Sequence, residues 1–120
     1  MASTPEGKVK DKVKRLLARF CDENKSVTLF SGRLYAHWPV MNGMGSPTLD
    51  CIACYYGKYI AIETKVEGKA LTPRQEQTKA QIEAAGGLVF VVKNDADIER
   101  LEQALNLIKW AHANNSEQQA

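Results

Sequence analysis

The sequence predicts an α/β fold in which helices cover a mixed β-sheet. Three observations carry this. Apolar residues recur at helical spacing near the start, at Val9, Val13, Leu16, Leu17 and Phe20. Two β-prone runs, Leu49 to Tyr55 and Lys58 to Val66, flank a short Tyr56-Gly57 turn. A capped helical segment opening at Thr72-Pro73 then leads into the wholly apolar run Leu88 to Val92. In chain order the elements are helix, strands, helix, strand, helix, with no repeat, low-complexity tract or linker between them. At 120 residues, a single domain over 1–120 is expected.

Each element has local signals. Ser3 and Glu6 have capping-box spacing and Pro5 suits a first turn, so a helix is expected from about Pro5 to Cys21. Val27 to Phe30 and Leu34 to Trp38 read as extended, with Ser31-Gly32 as a turn between them. Pro39 and the stretch Asn42-Gly43-Met44-Gly45-Ser46-Pro47 form a loop rich in breakers. The hairpin runs follow, and Glu67-Gly68-Lys69 ends the second. Thr72 caps a helix with Pro73 first and Gln75 three after the cap. Gly86-Gly87 stops it near Ala85. Leu88 to Val92 reads as a buried strand. A last helix starts at Asp95 or Asp97 and places Ile98, Leu101, Leu105 and Ile108 on one face. The polar residues from about Asn114 onward are expected to fray.

Composition narrows the function classes. Hydrophobic residues make up 44% and charged residues 25%, as in ordinary globular proteins, which argues against disorder. No apolar run approaches the roughly 20 residues of a membrane span, and the charged N-terminus lacks a secretory h-region. Three cysteines, Cys21, Cys51 and Cys54, without such a signal point to reduced thiols and a cytoplasmic protein. Cys51-x-x-Cys54 has no second Cys/His pair at zinc spacing, so it reads as two strand cysteines. The net charge of +2 conceals an asymmetry. Residues 1–20 hold six basic and two acidic side chains, and residues 95–120 hold two basic and five acidic. A basic first helix can face phosphate, although a solvated face explains the charge from composition alone.

The chemistry concentrates between Asp50 and Lys65. Along a strand, side chains alternate, so Ile60, Ile62 and Thr64 share one face and Glu63 and Lys65 the other. If Tyr56-Gly57 is a two-residue turn, Tyr55 pairs with Lys58 and Asp50 stands opposite Glu63. A shift of the turn by one residue puts Asp50 opposite Lys65, still on the same face. A three-residue loop turns it to the other face unless a bulge intervenes. In the first register two carboxylates face each other, which is destabilising unless something offsets the repulsion. Lys65 does so in part, and Mg²⁺ or Mn²⁺ suits such hard oxygen donors. A divalent ion there can polarise a phosphoryl oxygen and activate water, with Lys65 orienting the water or stabilising charge. Taken alone, Glu-x-Lys is more often an exposed ion pair on an edge strand. Lys69, Arg74 and Lys79, around the following loop and helix, are candidates to hold phosphates, or are solvated charges. Of the other polar and aromatic residues, Trp38 reads as packing and His37 stays open. The strand tyrosines read as core or cross-strand pairs, and Trp110 as packing or a dimer contact.

Gly45-Ser46-Pro47, Asp50, Ile62-Glu63-Thr64-Lys65, Leu71-Thr72-Pro73-Arg74-Gln75 and the run Ala84-Ala85-Gly86-Gly87-Leu88-Val89-Phe90-Val91-Val92 together resemble a stand-alone VRR-NUC domain of the PD-(D/E)xK nuclease superfamily. The resemblance spans roughly residues 43–92, with the amphipathic helix at 5–21 also in the expected place. It implies a restriction-endonuclease-like mixed sheet flanked by helices, in the order α-β-β-β-α-β-α. Asp50 would be the aspartate of the PD motif and Glu63 the acidic member of its second half. Both would bind the metal, with the Thr64 backbone carbonyl as a further ligand and Lys65 as the catalytic lysine. Gln75 would be the polar residue from the following helix. Glu6 resembles the glutamate of the family's first helix, a position that a capping-box glutamate explains equally well. The departure is Pro47-Thr48-Leu49 before Asp50, where the family usually has proline directly before aspartate. The implied activity is a Mg²⁺- or Mn²⁺-dependent endonuclease acting on branched DNA as a homodimer, in the manner of phage or bacterial Holliday-junction resolvases. The rivals are a flap, nicking or restriction-like endonuclease and, outside enzymes, a non-catalytic DNA-binding or assembly module.

Overall fold

A computed structural model describes residues 4–22, 31–40 and 45–119, the last five of these in backbone only. The elements are α1 (Pro5–Cys21), β1 (Tyr35–His37), β2 (Cys51–Tyr55), β3 (Lys58–Thr64), α2 (Pro73–Ala84), β4 (Leu88–Val92) and α3 (Asp95–Gln119). Their order is the expected α-β-β-β-α-β-α. The extended run expected at Val27 to Phe30 lies outside the described residues, as does part of the breaker-rich loop.

Three of the four strands among the described residues form a meander, in which β1 pairs with β2 and β2 with β3, both antiparallel. The chain then crosses over through α2 and adds β4 parallel to β3, giving a mixed sheet in the order β1-β2-β3-β4. A helix in this crossover is expected, because parallel neighbours cannot be joined by a tight turn. At the hairpin, Tyr55 pairs with Lys58, so the loop has two residues. Tyr56 and Gly57 have φ of 50° and 80°. Both being left-handed is what a hairpin loop needs to match the right-handed twist of its strands.

The core lies on the face of the sheet that carries Cys51, Ala53, Tyr55, Ile60, Ile62 and Val92. Val13, Leu16, Leu17 and Phe20 of α1 pack there with Leu101 and Leu105 of α3. Phe20 meets the fully buried Tyr55 edge-on, with ring centroids 5.7 Å apart. On the opposite face, α2 sits over β3 and β4, where Ile82 and Tyr59 crowd Gly87 so closely that a Cβ there would lie 2.6 Å from the Ile82 side chain. No helix among the described residues is long and apolar enough to cross a membrane.

Two details differ from the sequence reading, the cap of α1 and the exposure of β4. The cap of α1 is Thr4, whose hydroxyl accepts from the Gly7 amide at 2.9 Å, while Ser3, the expected cap, lies outside the described residues. The spacing signal was ambiguous because Ser3 and Thr4 are adjacent and either hydroxyl can serve. Helix α3 starts at Asp95, one of the two expected positions, and Asn94 before it accepts from the Asp97 amide at 2.9 Å, while Asp97 accepts from the Lys93 amide at 3.0 Å. Strand β4 is the last in the sheet and only Val92 is fully buried, with Leu88 38% exposed. Its unbroken apolar run reflects partial cover by α2 and α3 on its two faces rather than a central position. The backbone of α3 continues as helix to Gln119. No glycine or proline stops it, and extending an existing helix costs far less than starting one.

Candidate metal centre and active site

The open end of the β2–β3 hairpin gathers the acidic residues. Cys51 pairs with Ile62, which puts Asp50, one residue before β2, opposite Glu63. The Asp50 amide donates to Glu63 Oε1 at 3.1 Å. Asp50 Oδ2 in turn accepts from the Thr64 amide at 2.9 Å and from the Thr64 hydroxyl at 2.8 Å. The two carboxylates are thus locked by the ends of their own strands, not left as free rotors. Glu6, exposed in the first turn of α1, completes a group in which one oxygen each from Glu6, Asp50 and Glu63 lie within 4.8 Å of one another.

Helix α2 supplies the fourth polar arm through its own cap. Thr72 and Gln75 form a capping box, with the Gln75 amide donating to Thr72 Oγ1 at 3.2 Å and the Thr72 amide donating to Gln75 Oε1 at 3.0 Å. With its oxygen committed to the cap, Gln75 must present its NH₂ group outward. That group donates to Glu63 Oε2 at 2.9 Å. A device that starts a helix therefore also fixes a site carboxylate, which links local folding to site geometry.

Two lysines face the carboxylates. Lys65 Nζ lies 3.8 Å from Glu63 Oε2, and Lys10 Nζ lies 3.8 Å from Asp50 Oδ1. They do not fully offset the negative charge. Glu63 is 2% exposed, and its carboxyl is pushed up to about 7. Burial is the main cause and the neighbouring Asp50 charge the next. The Asp50 amide and Lys65 pull the other way. A buried carboxyl that resists ionising beside two more carboxylates is a donor set short of positive charge. Its hard oxygen donors match Mg²⁺ or Mn²⁺ rather than soft metals.

The structure brings together Asp50, Glu63, Lys65, Gln75 and Glu6. Thr64 joins them through its amide and hydroxyl on Asp50, where the family resemblance pointed to its carbonyl. The expected phosphate ligands lie apart. Lys69 and Arg74 are exposed around the loop that leads into α2, and Lys79 pairs with Glu83 along the helix at 3.1 Å. Among the described residues no ion pair links these three to the carboxylates. Sequence reasoning missed Lys10. The signal was present, since Lys10 lies four residues after Glu6 and so shares its side of α1. The pairing of Thr72 with Gln75 at the cap was legible, but not that the cap aims the Gln75 NH₂ group at Glu63.

Other candidates resolve simply. Cys51 is buried and Cys54 exposed, on opposite faces of β2, so the pair cannot chelate one ion. Burial pushes the Cys51 thiol up to about 12, far from reactive. His37 is exposed at the end of β1, and Trp38 packs against the core with Lys14 Nζ 5.0 Å from its ring centroid. Tyr55 is core and Tyr56 stacks on His112 at 4.1 Å. Trp110 is 63% exposed, so it does not pack within the described chain.

No family model and no curated protein matches the chain. A solved structure described as a VRR_NUC domain is similar to it, with a TM-score of 0.65 and 19% identity, covering 84% of this chain and 97% of that one. This chain, with its acidic cluster at the open hairpin end, therefore has the fold of a VRR_NUC domain.

Proposed function

We propose that the chain is a Mg²⁺- or Mn²⁺-dependent DNA endonuclease of the VRR-NUC type, selective for branched DNA and acting as a homodimer on four-way junctions. The observation that carries this is the meeting of Glu6, Asp50 and Glu63 within 4.8 Å, with Lys65 3.8 Å from Glu63. Asp50, Glu63 and Glu6, with the Thr64 carbonyl, would hold the ion. Bound there, a divalent ion supplies a Lewis acid for a phosphoryl oxygen and a water of lowered pKa.

The chain's own residues do the rest. Thr64 and Gln75 keep the Asp50 and Glu63 carboxylates from turning, so the donor set is preorganised. Lys65 stands beside Glu63 with its ammonium only partly exposed. From there it orients the attacking water and stabilises the charge that develops on the phosphate. Symmetric cutting of a junction needs two equivalent centres, and the described residues of one copy hold one, hence the twofold homodimer. A cytoplasmic setting, in a bacterium or a phage-infected cell, fits the reduced thiols.

The test is cleavage of a labelled four-way junction, compared with linear duplex and flap, with Mg²⁺, Mn²⁺ or EDTA. Metal-dependent, paired cuts in the junction are expected. No cleavage of any DNA with either metal overturns the enzyme reading and leaves a non-catalytic DNA-binding module. Preference for the flap or duplex redirects it to a flap or restriction-like nuclease. A monomer by light scattering on DNA removes the junction assignment.

A further inference from the structure

Helix α1 is basic, but its cations do not form one surface. Successive helical residues are rotated by about 100°, so positions four or seven apart fall on the same side. Lys12 and Arg19, seven apart, lie on the side facing α3. There Lys12 pairs with Asp95 at 2.7 Å and Arg19 with Glu102 at 3.2 Å. Their acceptors are also seven apart, so the two helices run in register and close a two-rung charge ladder. The acidic end of the chain thus uses up part of the charge of the basic end.

The other flank of α1 borders the carboxylates. Lys10 reaches to 3.8 Å from Asp50 Oδ1 while its side chain keeps 37% exposure. Lys14, one turn further on, rests its ammonium on the Trp38 ring. His37 pairs with Ile52, so Trp38 stands beside Cys51, the residue next to Asp50. The positive charge of Lys14 is indeed felt at the Cys51 thiol. Two cations about 6 Å apart along the helix axis therefore lead away from the acidic centre. The indole holds one in place and Asp50 the other, where more than a third of the Lys10 side chain still faces solvent and can meet a phosphate oxygen.

We propose that Lys10 and Lys14 form the track that seats the non-scissile phosphates of the DNA strand beside the acidic centre, so that α1 meets DNA with its site-facing flank and not with its α3-facing flank. This rests on the nuclease reading for its substrate, but its test does not need cleavage.

Binding of a fluorescein-labelled four-way junction in EDTA is followed by anisotropy between 50 and 200 mM salt. Each lost phosphate contact lowers the slope of log K against log salt by about 0.9. Lys10→Met/Lys14→Met should lower it by about 2 and weaken binding more than tenfold at low salt. Lys10→Gln and Lys14→Gln should each lower it by about 0.9, which gives the answer if the double variant fails to fold. Lys10→Arg/Lys14→Arg should keep the slope. Lys12→Met/Arg19→Met should leave it unchanged, despite removing the same number of charges. An unchanged slope in the Lys10 and Lys14 variants overturns the proposal. So does an equal loss in the α3-facing pair, which would make the whole helix a diffuse basic surface. Failure of the nuclease reading shows separately, as a chain that binds the junction and cuts nothing.

Discussion

The two ends of the β2–β3 hairpin are built on opposite terms. At the turn end, Tyr55 is fully buried, Phe20 packs on its ring, and Tyr56 stacks on His112. The two turn residues have the backbone that a twisted hairpin favours. Apart from the left-handed backbone of Tyr56, every feature there stabilises the fold. At the open end, five residues up the same ladder, Asp50 faces Glu63, and burial plus mutual repulsion keep Glu63 from ionising at its usual pH. The favourable end fixes the register, and the register holds the unfavourable end together. Stability and chemistry are thus separated along one ladder. Substitutions at the two ends should have opposite signatures.

The largest effect expected is a crossed one. Tyr55→Ala removes a fully buried ring and should cost about 3–5 kcal/mol of stability, measured by urea or thermal unfolding. Lys65→Ala removes a partly exposed ammonium at the open end. It should leave unfolding nearly unchanged while lowering metal-dependent junction cleavage by about 10²–10³-fold. Equal losses of stability in both variants would erase the distinction between the ends. Full cleavage by Lys65→Ala would move the active centre elsewhere.

The second effect is the pH dependence of the metal-free protein. Glu63 titrates near 7 when folded, against 4.5 as a model group. Between those values the folded chain binds the extra proton. The stabilisation is fully present below about 4.5 and is lost as pH rises through about 7. The metal-free domain should therefore melt higher at pH 5 than at pH 8, by up to about 3 kcal/mol. Glu63→Gln should flatten that slope and stabilise the chain at pH 8. Mn²⁺ at pH 8 should raise the melting temperature of the unaltered chain and do much less for Glu63→Gln. A pH profile that is the same with and without the substitution would show that Glu63 is not the strained group.

The same contrast explains what the sequence could and could not reveal. The turn end was legible. Alternation, a glycine and the two-residue spacing of Tyr56-Gly57 select the pairing of Tyr55 with Lys58, and Asp50 then faces Glu63 as a consequence. The helices α1 and α2 and strand β4 were legible at their boundaries because period, caps and breakers are all local. What stayed hidden was set by contacts between distant segments. Lys10 approaches Asp50 only because α1 packs across the sheet, and Lys12 and Arg19 turn to α3 only because two helices 83 residues apart in sequence run in register. The exposure of β4 depends on its place at the end of the sheet, which a continuous apolar run does not encode.

A third effect probes the bridge from α2 to the open end. Gln75→Ala should remove the hydrogen bond to Glu63 Oε2 and one half of the capping box together. Loss of such a supporting contact typically weakens metal affinity by about 10–100-fold. Mn²⁺ binding by electron paramagnetic resonance would read it directly. Thr72→Ala breaks the other half of the box and leaves Gln75 in place. It should cost about 1 kcal/mol of stability and only a small part of the affinity. Equal loss of affinity in the two variants would mean that Gln75 acts only through the cap.

The smallest effect is expected at the turn. Gly57 has a φ of 80°, and a Cβ built there meets nothing within 4 Å. Gly57→Ala therefore carries only the backbone cost of a left-handed alanine, about 1–2 kcal/mol, with no steric clash. Because the ladder is already held by Tyr55 and by the core contacts of Ile60 and Ile62, the register should survive. Asp50 should still face Glu63, so junction cleavage and Mn²⁺ affinity should match the unaltered chain at temperatures where both are folded. Tyr56→Ala, by contrast, removes the ring that lies against His112 while relieving nothing at Gly57. It tests whether that stack or the turn backbone pins the end of the hairpin. Lost metal affinity in a folded Gly57→Ala protein would show that the turn alone sets the register. The two ends of the hairpin would then be coupled far more tightly than their separate chemistry suggests.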